Sequence, residues 1–215
     1  MKEKIIVIIV LSLSIILLGF IDNKLPLFGK IIYLDAGHGG IDKGAIYDGI
    51  YESDINLEIV YKLKERLEEK GATVYLTRYQ DYDLALPNAS LRKRSDLLQR
   101  ANTINDSNCD LYLSIHLNAY KDSYYSGAQV YYDDINKNNV VLADIMQKVL
   151  KEDLKTKREY KLKNDGYMYS RIKKEGILIE VGFLSNSNER YLLTKEEYQY
   201  KIADSIVRGL SIYVN

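Results

Sequence analysis

Short apolar runs alternate with longer amphipathic stretches along most of the chain. The apolar runs have the length of strands and are bounded by glycine, asparagine or charged residues. The pattern predicts strands at 30–35, 73–78, 111–116, 127–133 and 177–181. In the last of these, every residue except Glu180 is apolar, which is typical of a strand that is covered on both faces.

Helices are predicted between these strands, at 53–70, 91–105, 139–155 and 195–213. The first is the clearest, because Ile55, Ile59, Leu63 and Leu67 recur every four residues and Gly71 follows as a helix-ending residue. For the second helix, Ser90 is the predicted N-cap. Strands that alternate with helices predict one α/β domain with helices on both faces of the sheet.

A different pattern precedes this domain. Residues 5–21 are an uncharged run of 17 residues, preceded by Lys2 and Lys4. As a helix the run would cover about 25 Å, which leaves an export signal and a membrane anchor both open. Because no small-residue cleavage site follows, an uncleaved anchor is favoured, and the basic end is expected to stay in the cytoplasm. We therefore predict an anchor or signal at 1–24 and an extracytoplasmic, membrane-tethered catalytic domain at 25–215, secreted if the first segment is cleaved.

Composition narrows the possible functions. The 215 residues have a formal net charge of zero, so the chain has no basic field for a nucleic-acid partner and we expect none. The single cysteine, Cys109, cannot form an internal disulfide and is expected to be a small buried residue.

The candidate chemistry begins with the two histidines of the chain, His38 and His116, which each end an apolar run. In an α/β fold such positions lie at the carboxyl edge of the sheet, where functional crevices form. Two imidazoles and a carboxylate are a common ligand set for catalytic zinc, which keeps a further position open.

Two carboxylates are candidates to complete the site. Glu52 precedes the first amphipathic helix, where an acidic residue is also favourable for electrostatic reasons alone. Glu180 ends the apolar run 177–179 and is either an ion-pair partner at a sheet edge or a general base beside the metal. Position alone leaves these alternatives open.

Four segments of the chain resemble the zinc-dependent N-acetylmuramoyl-L-alanine amidases of the Amidase_3 type, in the order found in that family. They are 34–40 (LDAGHGG), 52–57 (ESDINL), 114–119 (SIHLNA) and 179–186 (IEVGFLSN). Four ordered blocks are far more specific than a single motif, and the resemblance extends from about residue 30 to the C-terminus.

The resemblance implies that His38, Glu52 and His116 bind Zn²⁺ and that Glu180 is the catalytic glutamate. It also implies a mixed, mostly parallel sheet of about six strands, and hydrolysis of the amide between the lactyl group of N-acetylmuramic acid and L-alanine in peptidoglycan. Within the family the chain most resembles the compact, membrane-anchored CwlD type, which acts on spore cortex before muramic-δ-lactam forms. Some members of that type need an activating partner protein or lipoprotein.

Other assignments remain open at this level. A glycosidase would use Glu52 and Glu180 as paired carboxylates but leaves both histidines unexplained. A non-catalytic peptidoglycan-binding module would stack sugars on tyrosines, the candidates being Tyr124, Tyr125, Tyr167 and Tyr169. Asn118 is a candidate to bind substrate, or it caps its loop, and Asp35 is expected to anchor the His38 loop.

Overall fold

A computed structural model describes residues 25–163 and 166–215. The predicted anchor or signal at 1–24 lies outside the described residues. Within the described residues, no helix has both the length and the apolar composition needed to cross a bilayer.

In the part of the chain that the structure describes, a sheet of six strands forms the centre of the domain. Its strands are β1 (Ile31–Ala36), β4 (Thr73–Leu76), β5 (Leu111–Asn118), β6 (Gln129–Tyr132), β7 (Lys161–Leu162) and β8 (Glu175–Phe183). Their spatial order is β4-β1-β5-β8-β6-β7. The first four in spatial order are parallel to one another, β6 runs antiparallel to β8, and β7 is parallel to β6. A separate hairpin consists of β2 (Ile46–Tyr47) and β3 (Ile50–Tyr51). The predicted mixed, mostly parallel sheet is confirmed.

Helices cover both faces of the sheet. They are α1 (Glu52–Glu69), α2 (Arg92–Asp106), α3 (Asn139–Leu154), α4 (Ser187–Leu193) and α5 (Glu196–Val214). Helices α1, α3 and α5 contribute apolar side chains to the large core on one face. Helix α2 and a short 3₁₀ helix, Tyr169–Arg171, enclose a smaller core on the other.

Strand β1 shows how the sequence distributes residues between these cores. Ile32 and Leu34 are fully buried in the large core, whereas Ile31 and Tyr33 pack against the smaller one. This is the period-two alternation of a strand with two covered faces. The same alternation puts Asp35 on the α2 side, and this position matters for the site.

Several local predictions need correction. Helix α2 begins one residue later than predicted, and its N-cap is Leu91 without a side-chain capping bond, so Ser90 is not the cap. Strands β5 and β8 both continue past the residues at which the apolar pattern stops. His116 and Glu180 therefore lie within strands and not at their ends, because the sheet continues to pair beyond them.

Candidate active site

Three side chains from separate parts of the chain converge beyond the carboxyl end of β1. The Glu52 Oε1 atom lies 3.2 Å from His38 Nε2 and 3.0 Å from His116 Nδ1. One ligand atom from each residue can be chosen so that all three lie within 4.8 Å of one another. The sequence-predicted residues His38, Glu52 and His116 are thus brought together.

The loop after β1 positions His38. His38 itself has a φ of 62°, a left-handed conformation that is uncommon for residues other than glycine. Its Nδ1 atom lies 3.1 Å from Asp42 Oδ2, and Asp42 is held in turn by Lys93 at 2.9 Å. Because Asp42 occupies one ring nitrogen, the other faces Glu52. Such a carboxylate partner is the usual means of fixing a metal-binding imidazole.

Gly37 gives His116 the space it occupies. A Cβ atom at Gly37 would lie 2.2 Å from the His116 ring, closer than real contacts allow. Only a residue without a side chain permits this approach of the His38 loop to β5.

Glu52 is buried as the first residue of α1, one position earlier than the sequence predicted. Its Oε1 accepts a hydrogen bond from the Leu117 amide at 3.0 Å, and its Oε2 accepts one from the Ala45 amide at 2.9 Å. Burial opposes the charged form, but the contacts with His116 and His38 outweigh it and lower the pKa of Glu52. The side chain is therefore an anion at neutral pH, as a ligand for a cation requires.

Glu180 lies beside this cluster, directly opposite His116 in the β5–β8 register. Within the described part of the chain, its buried Oε2 has no hydrogen-bond partner. Burial raises the pKa of Glu180 to about 7, Glu52 adds to the rise, and His116 opposes it. A carboxyl group with such a pKa can accept and return a proton near neutral pH.

Two buried arginines, which the sequence analysis did not single out, hold the backbone of the His38 loop. Arg100 donates to the carbonyl oxygens of Ala36 and His38 at 2.7 and 2.6 Å. Arg78 donates to the carbonyl oxygens of Ala36 and Gly37 at 2.9 and 3.1 Å. The loop that presents His38 is thus attached to side chains from α2 and from the segment after β4.

Asp35 supports this arrangement as the sequence analysis expected. Its Oδ1 accepts from Arg100 at 2.8 Å and its Oδ2 from Ser114 at 2.6 Å. Burial alone would raise its pKa, but Arg100 and the Ser114 hydrogen bond outweigh burial and lower it. Asp96 also pairs with Arg100, at 3.0 Å, so two carboxylates compensate one buried guanidinium.

Asn118 lies at the end of β5 and outside the three-residue cluster. Burial raises the pKa of Tyr131, Glu180 adds to the rise, and the Asn118 side chain opposes it, which places these three groups close together. The backbone carbonyl of Asn118 accepts from the Leu184 amide at 2.8 Å. Asn118 therefore borders the site and also fixes the adjoining loop.

The candidate stacking tyrosines have different environments. Tyr124 is exposed and stacks on Tyr125, with ring centroids 4.4 Å apart. The Tyr169 hydroxyl instead lies 3.1 Å from Ser114 Oγ inside the domain. Tyr167 lies under the Arg171 guanidinium at 3.7 Å. Of these four tyrosines, only Tyr124 is largely exposed.

The donor set fits a zinc ion. A tetrahedral ion with ligand bonds of about 2.1 Å separates its ligand atoms by about 3.4 Å, close to the distances from Glu52 Oε1 to both imidazoles. The unpartnered oxygen of Glu180 adjoins the cluster without belonging to it. Two imidazoles, one carboxylate and an adjacent proton acceptor are the composition of a catalytic centre.

Comparison with known proteins decides the family. The model of the Amidase_3 family, described as N-acetylmuramoyl-L-alanine amidase, matches residues 32–211. The chain belongs to this amidase family. His38, Glu52, His116 and Glu180 all lie within the matched range.

Individual relatives agree with the assignment. The chain is 45% identical over 194 residues to the germination-specific N-acetylmuramoyl-L-alanine amidase of Bacillus subtilis, covering 88% of this chain and 82% of the relative. The structure of the CwlD amidase from Clostridioides difficile in complex with the GerS lipoprotein has a TM-score of 0.81 at 40% identity, covering 86% of this amidase and 98% of that chain. The catalytic domain of CwlV from Bacillus (Paenibacillus) polymyxa var. colistinus has a TM-score of 0.75 at 28% identity, with 86% and 97% covered.

Proposed function

We propose that this amidase is a zinc-dependent hydrolase that separates stem peptides from the glycan of peptidoglycan, with His38, Glu52 and His116 as the zinc ligands. The observation that carries the proposal is the convergence of these three side chains around Glu52 Oε1, beside an unpartnered Glu180 oxygen. Bound there, zinc supplies Lewis acidity that polarises a carbonyl group and makes water a better acid.

Glu180 is the proposed general base and acid. It accepts a proton from the attacking water as the bond between water oxygen and lactyl carbonyl carbon forms. It then returns this proton to the alanine nitrogen as the carbon–nitrogen bond breaks, which leaves a lactyl carboxylate and a free amine. An amide nitrogen leaves readily only once it is protonated, so one carboxyl group that serves both steps is sufficient.

The glycosidase alternative is disfavoured by the position of Glu52. Its Oε1 faces His38 and His116 and its Oε2 accepts a hydrogen bond from the Ala45 amide, so neither oxygen is free to act on a sugar. Glycoside hydrolysis needs one carboxylic acid and one carboxylate flanking the scissile bond. The family to which the chain belongs agrees with amide hydrolysis.

Asn118 is proposed to orient substrate at the border of the site. Its side chain interacts with Tyr131 on β6, and Glu180 lies on β8, the strand between β5 and β6. An amide group offers both a donor and an acceptor, which suits the polar groups of an N-acetylated sugar or a peptide bond.

We further propose that residues 1–24 tether the domain, 25–215, to the outer face of the membrane. The chain enters the domain near Leu25 and Leu27, at the amino end of β1, while His38 follows the carboxyl end. Six residues of strand are about 20 Å long, so the site would face away from the membrane and toward the cell wall.

A role in the spore cortex is proposed from the relatives. One is named a germination-specific amidase, and another is a CwlD amidase in complex with a lipoprotein. We infer that this chain likewise acts on cortex peptidoglycan before muramic-δ-lactam formation and binds an activating lipoprotein.

Product analysis tests the reaction. Full-length protein in detergent is incubated with peptidoglycan and zinc, and the fragments are identified by mass spectrometry. The proposal predicts peptides with a free L-alanine amine and glycan that retains its lactyl carboxylate, and no release after chelation. Release of new sugar reducing ends without such peptides would contradict it.

A further inference from the structure

A large groove lies at the same end of the sheet as Glu180, beside β6 and the edge strand β7. Its volume is about 790 Å³, and it is formed by residues 125–129, 154–161 and 186–189. These segments are the start of β6 with its preceding loop, the connection from α3 to β7, and the start of α4. We call this cavity the cationic groove because most of its charged lining residues are basic.

The sheet register connects the cationic groove to the proposed zinc site. His116 pairs with Glu180, and Glu180 pairs with Gln129, across β5, β8 and β6. Directly paired residues project their side chains from the same face, and neighbouring strands are about 4.8 Å apart. Gln129 lines the groove, so the groove begins about one strand beyond Glu180. An extended peptide advances about 3.3 Å per residue, so one that leaves the zinc site reaches the groove within a few residues.

Positive charge predominates in the lining of the cationic groove. Its basic residues are Lys155, Lys157, Arg158 and Lys161. Of its acidic residues, Glu159 forms an ion pair with Lys151. Glu189 accepts hydrogen bonds from the Gly127 and Phe183 amides at 2.9 and 2.7 Å. The four basic residues outnumber the two acidic ones, so the lining carries a net positive charge.

Arg158 is held in place before any ligand binds. Its Nε donates to the Ser126 carbonyl at 2.9 Å, and its guanidinium carbon lies 4.5 Å from the Phe183 ring centroid and 5.5 Å from that of Tyr125. Among residues 25–163 and 166–215, no carboxylate forms an ion pair with it. A guanidinium fixed on aromatic faces is suited to bidentate recognition of a carboxylate.

We propose that the cationic groove binds the carboxylates of the stem peptide, with Arg158 as the main contact. This inference rests on the proposed function and extends it to the substrate's peptide portion. Of the two products, the released peptide always bears a terminal carboxylate, and any acidic side chain adds another. The cationic groove is thus a peptide subsite that favours anionic stems over stems whose carboxylates are amidated.

Binding of the released product tests the inference without catalysis. Isothermal titration calorimetry with full-length protein in detergent compares an L-alanine-initiated acidic peptide with the same peptide in amidated form. For the acidic peptide we expect Arg158→Gln to weaken binding by about tenfold, the effect of losing one charge-assisted hydrogen bond. The amidated peptide should bind wild type and variant equally weakly.

Two further variants keep the result interpretable. Arg66→Gln removes a partly exposed guanidinium on α1 that pairs with Glu69, and it should bind both peptides as wild type does. Lys161→Gln removes a second, exposed cation of the groove and should weaken binding of the acidic peptide even if Arg158→Gln folds poorly. Equal affinity of wild type, Arg158→Gln and Lys161→Gln for the acidic peptide would overturn the inference.

Failure of the inference and failure of the proposed function have different signatures. If wild type releases stem peptides and Arg158→Gln does so with unchanged KM, the groove assignment is wrong and the amidase mechanism stands. If wild type with zinc releases no peptide, the proposed function fails, whatever the calorimetry shows. A raised KM with unchanged kcat in Arg158→Gln supports both the groove assignment and the proposed amidase function.

Discussion

Arg100 donates a hydrogen bond to the backbone carbonyl of His38 across 2.6 Å, joining helix α2 to the loop that presents the histidine. The guanidinium is buried and is compensated by Asp35 and Asp96. This contact makes the geometry of the proposed zinc site depend on a helix that contributes no ligand.

Replacing Arg100 is therefore expected to weaken zinc binding. Arg100→Gln removes the bond to His38 and leaves two carboxylates without their cation. We expect zinc affinity to fall about 10–100-fold, the usual effect of losing a group that orients a ligand. Competition with a chromophoric chelator measures this affinity.

The control for this variant is Arg208→Gln, which removes a partly exposed ion pair with Asp153. Unfolding by urea in zinc-free buffer measures the structural cost separately. If Arg100→Gln unfolds more easily yet its folded form binds zinc as tightly as wild type, Arg100 only stabilises the fold.

Gly37→Ala tests the close approach of the His38 loop to His116. The added methyl group would lie 2.2 Å from the imidazole, so the ring or the loop has to shift. We expect zinc affinity to fall at least about tenfold. Gly182→Ala is a matched control in β8, because its methyl group finds its nearest neighbour at 3.4 Å. Equal zinc affinity of the two variants would show that the site tolerates displacement of His116.

The charge of Asp35 is expected to make the stability of the fold depend on pH. The folded-state pKa of Asp35 lies below its ordinary value, so its contribution is complete above about pH 4 and is lost as the pH falls toward the folded-state pKa. Asp35→Asn removes this contribution and leaves Arg100 short of a partner. At pH 7 we expect the free energy of unfolding to fall by about 3–5 kcal/mol.

Urea unfolding between pH 7 and pH 3 checks both parts of this expectation. The difference between wild type and Asp35→Asn should shrink as the pH falls below about 4, since Asp35 then becomes protonated in the unfolded chain while it stays charged in the folded one. A difference that stays constant down to pH 3 would contradict the assignment of a lowered pKa.

Glu180→Gln separates proton transfer from metal binding. The amide cannot accept the water proton, so the rate of peptide release is expected to fall by about 10²–10⁴-fold. Zinc affinity should stay near that of wild type, because Glu180 lies outside the ligand cluster. The control is Glu175→Gln, which changes the first residue of the same strand, at its opposite end. Peptide release by Glu180→Gln at the wild-type rate would refute its proposed role.

The sequence predicted the layered α/β fold because its long periodic segments carry strong signals. Shorter elements were missed: the β2–β3 hairpin and β7 have two residues a strand, and α4 has seven residues. Segments of this length contain too little periodicity to distinguish them from loops. The ends of β5 and β8 were also misplaced, because pairing between strands continues beyond the apolar residues.

The sequence singled out His38, His116 and Glu180 because their residue types are rare or stand out in an apolar run, whereas the family resemblance and not position made Glu52 the third predicted ligand. Arg78 and Arg100 were not found, since arginine, whether at the end of a strand or in a helix, is ordinarily a surface residue. The spacing of Asp96 and Arg100 by four residues was the only local signal. The partner that explains the burial of Arg100 is Asp35, 65 residues away, and this pairing is visible only in the folded chain.

X-ray diffraction at the zinc absorption edge is the most direct test of the proposed zinc site. Crystals of zinc-loaded Glu180→Gln protein retain the proposed ligands and cannot consume substrate. We predict one strong anomalous peak within about 2.3 Å of ligand atoms of His38, Glu52 and His116. A peak at other side chains, or no peak at these three in crystals with full zinc content, would contradict it.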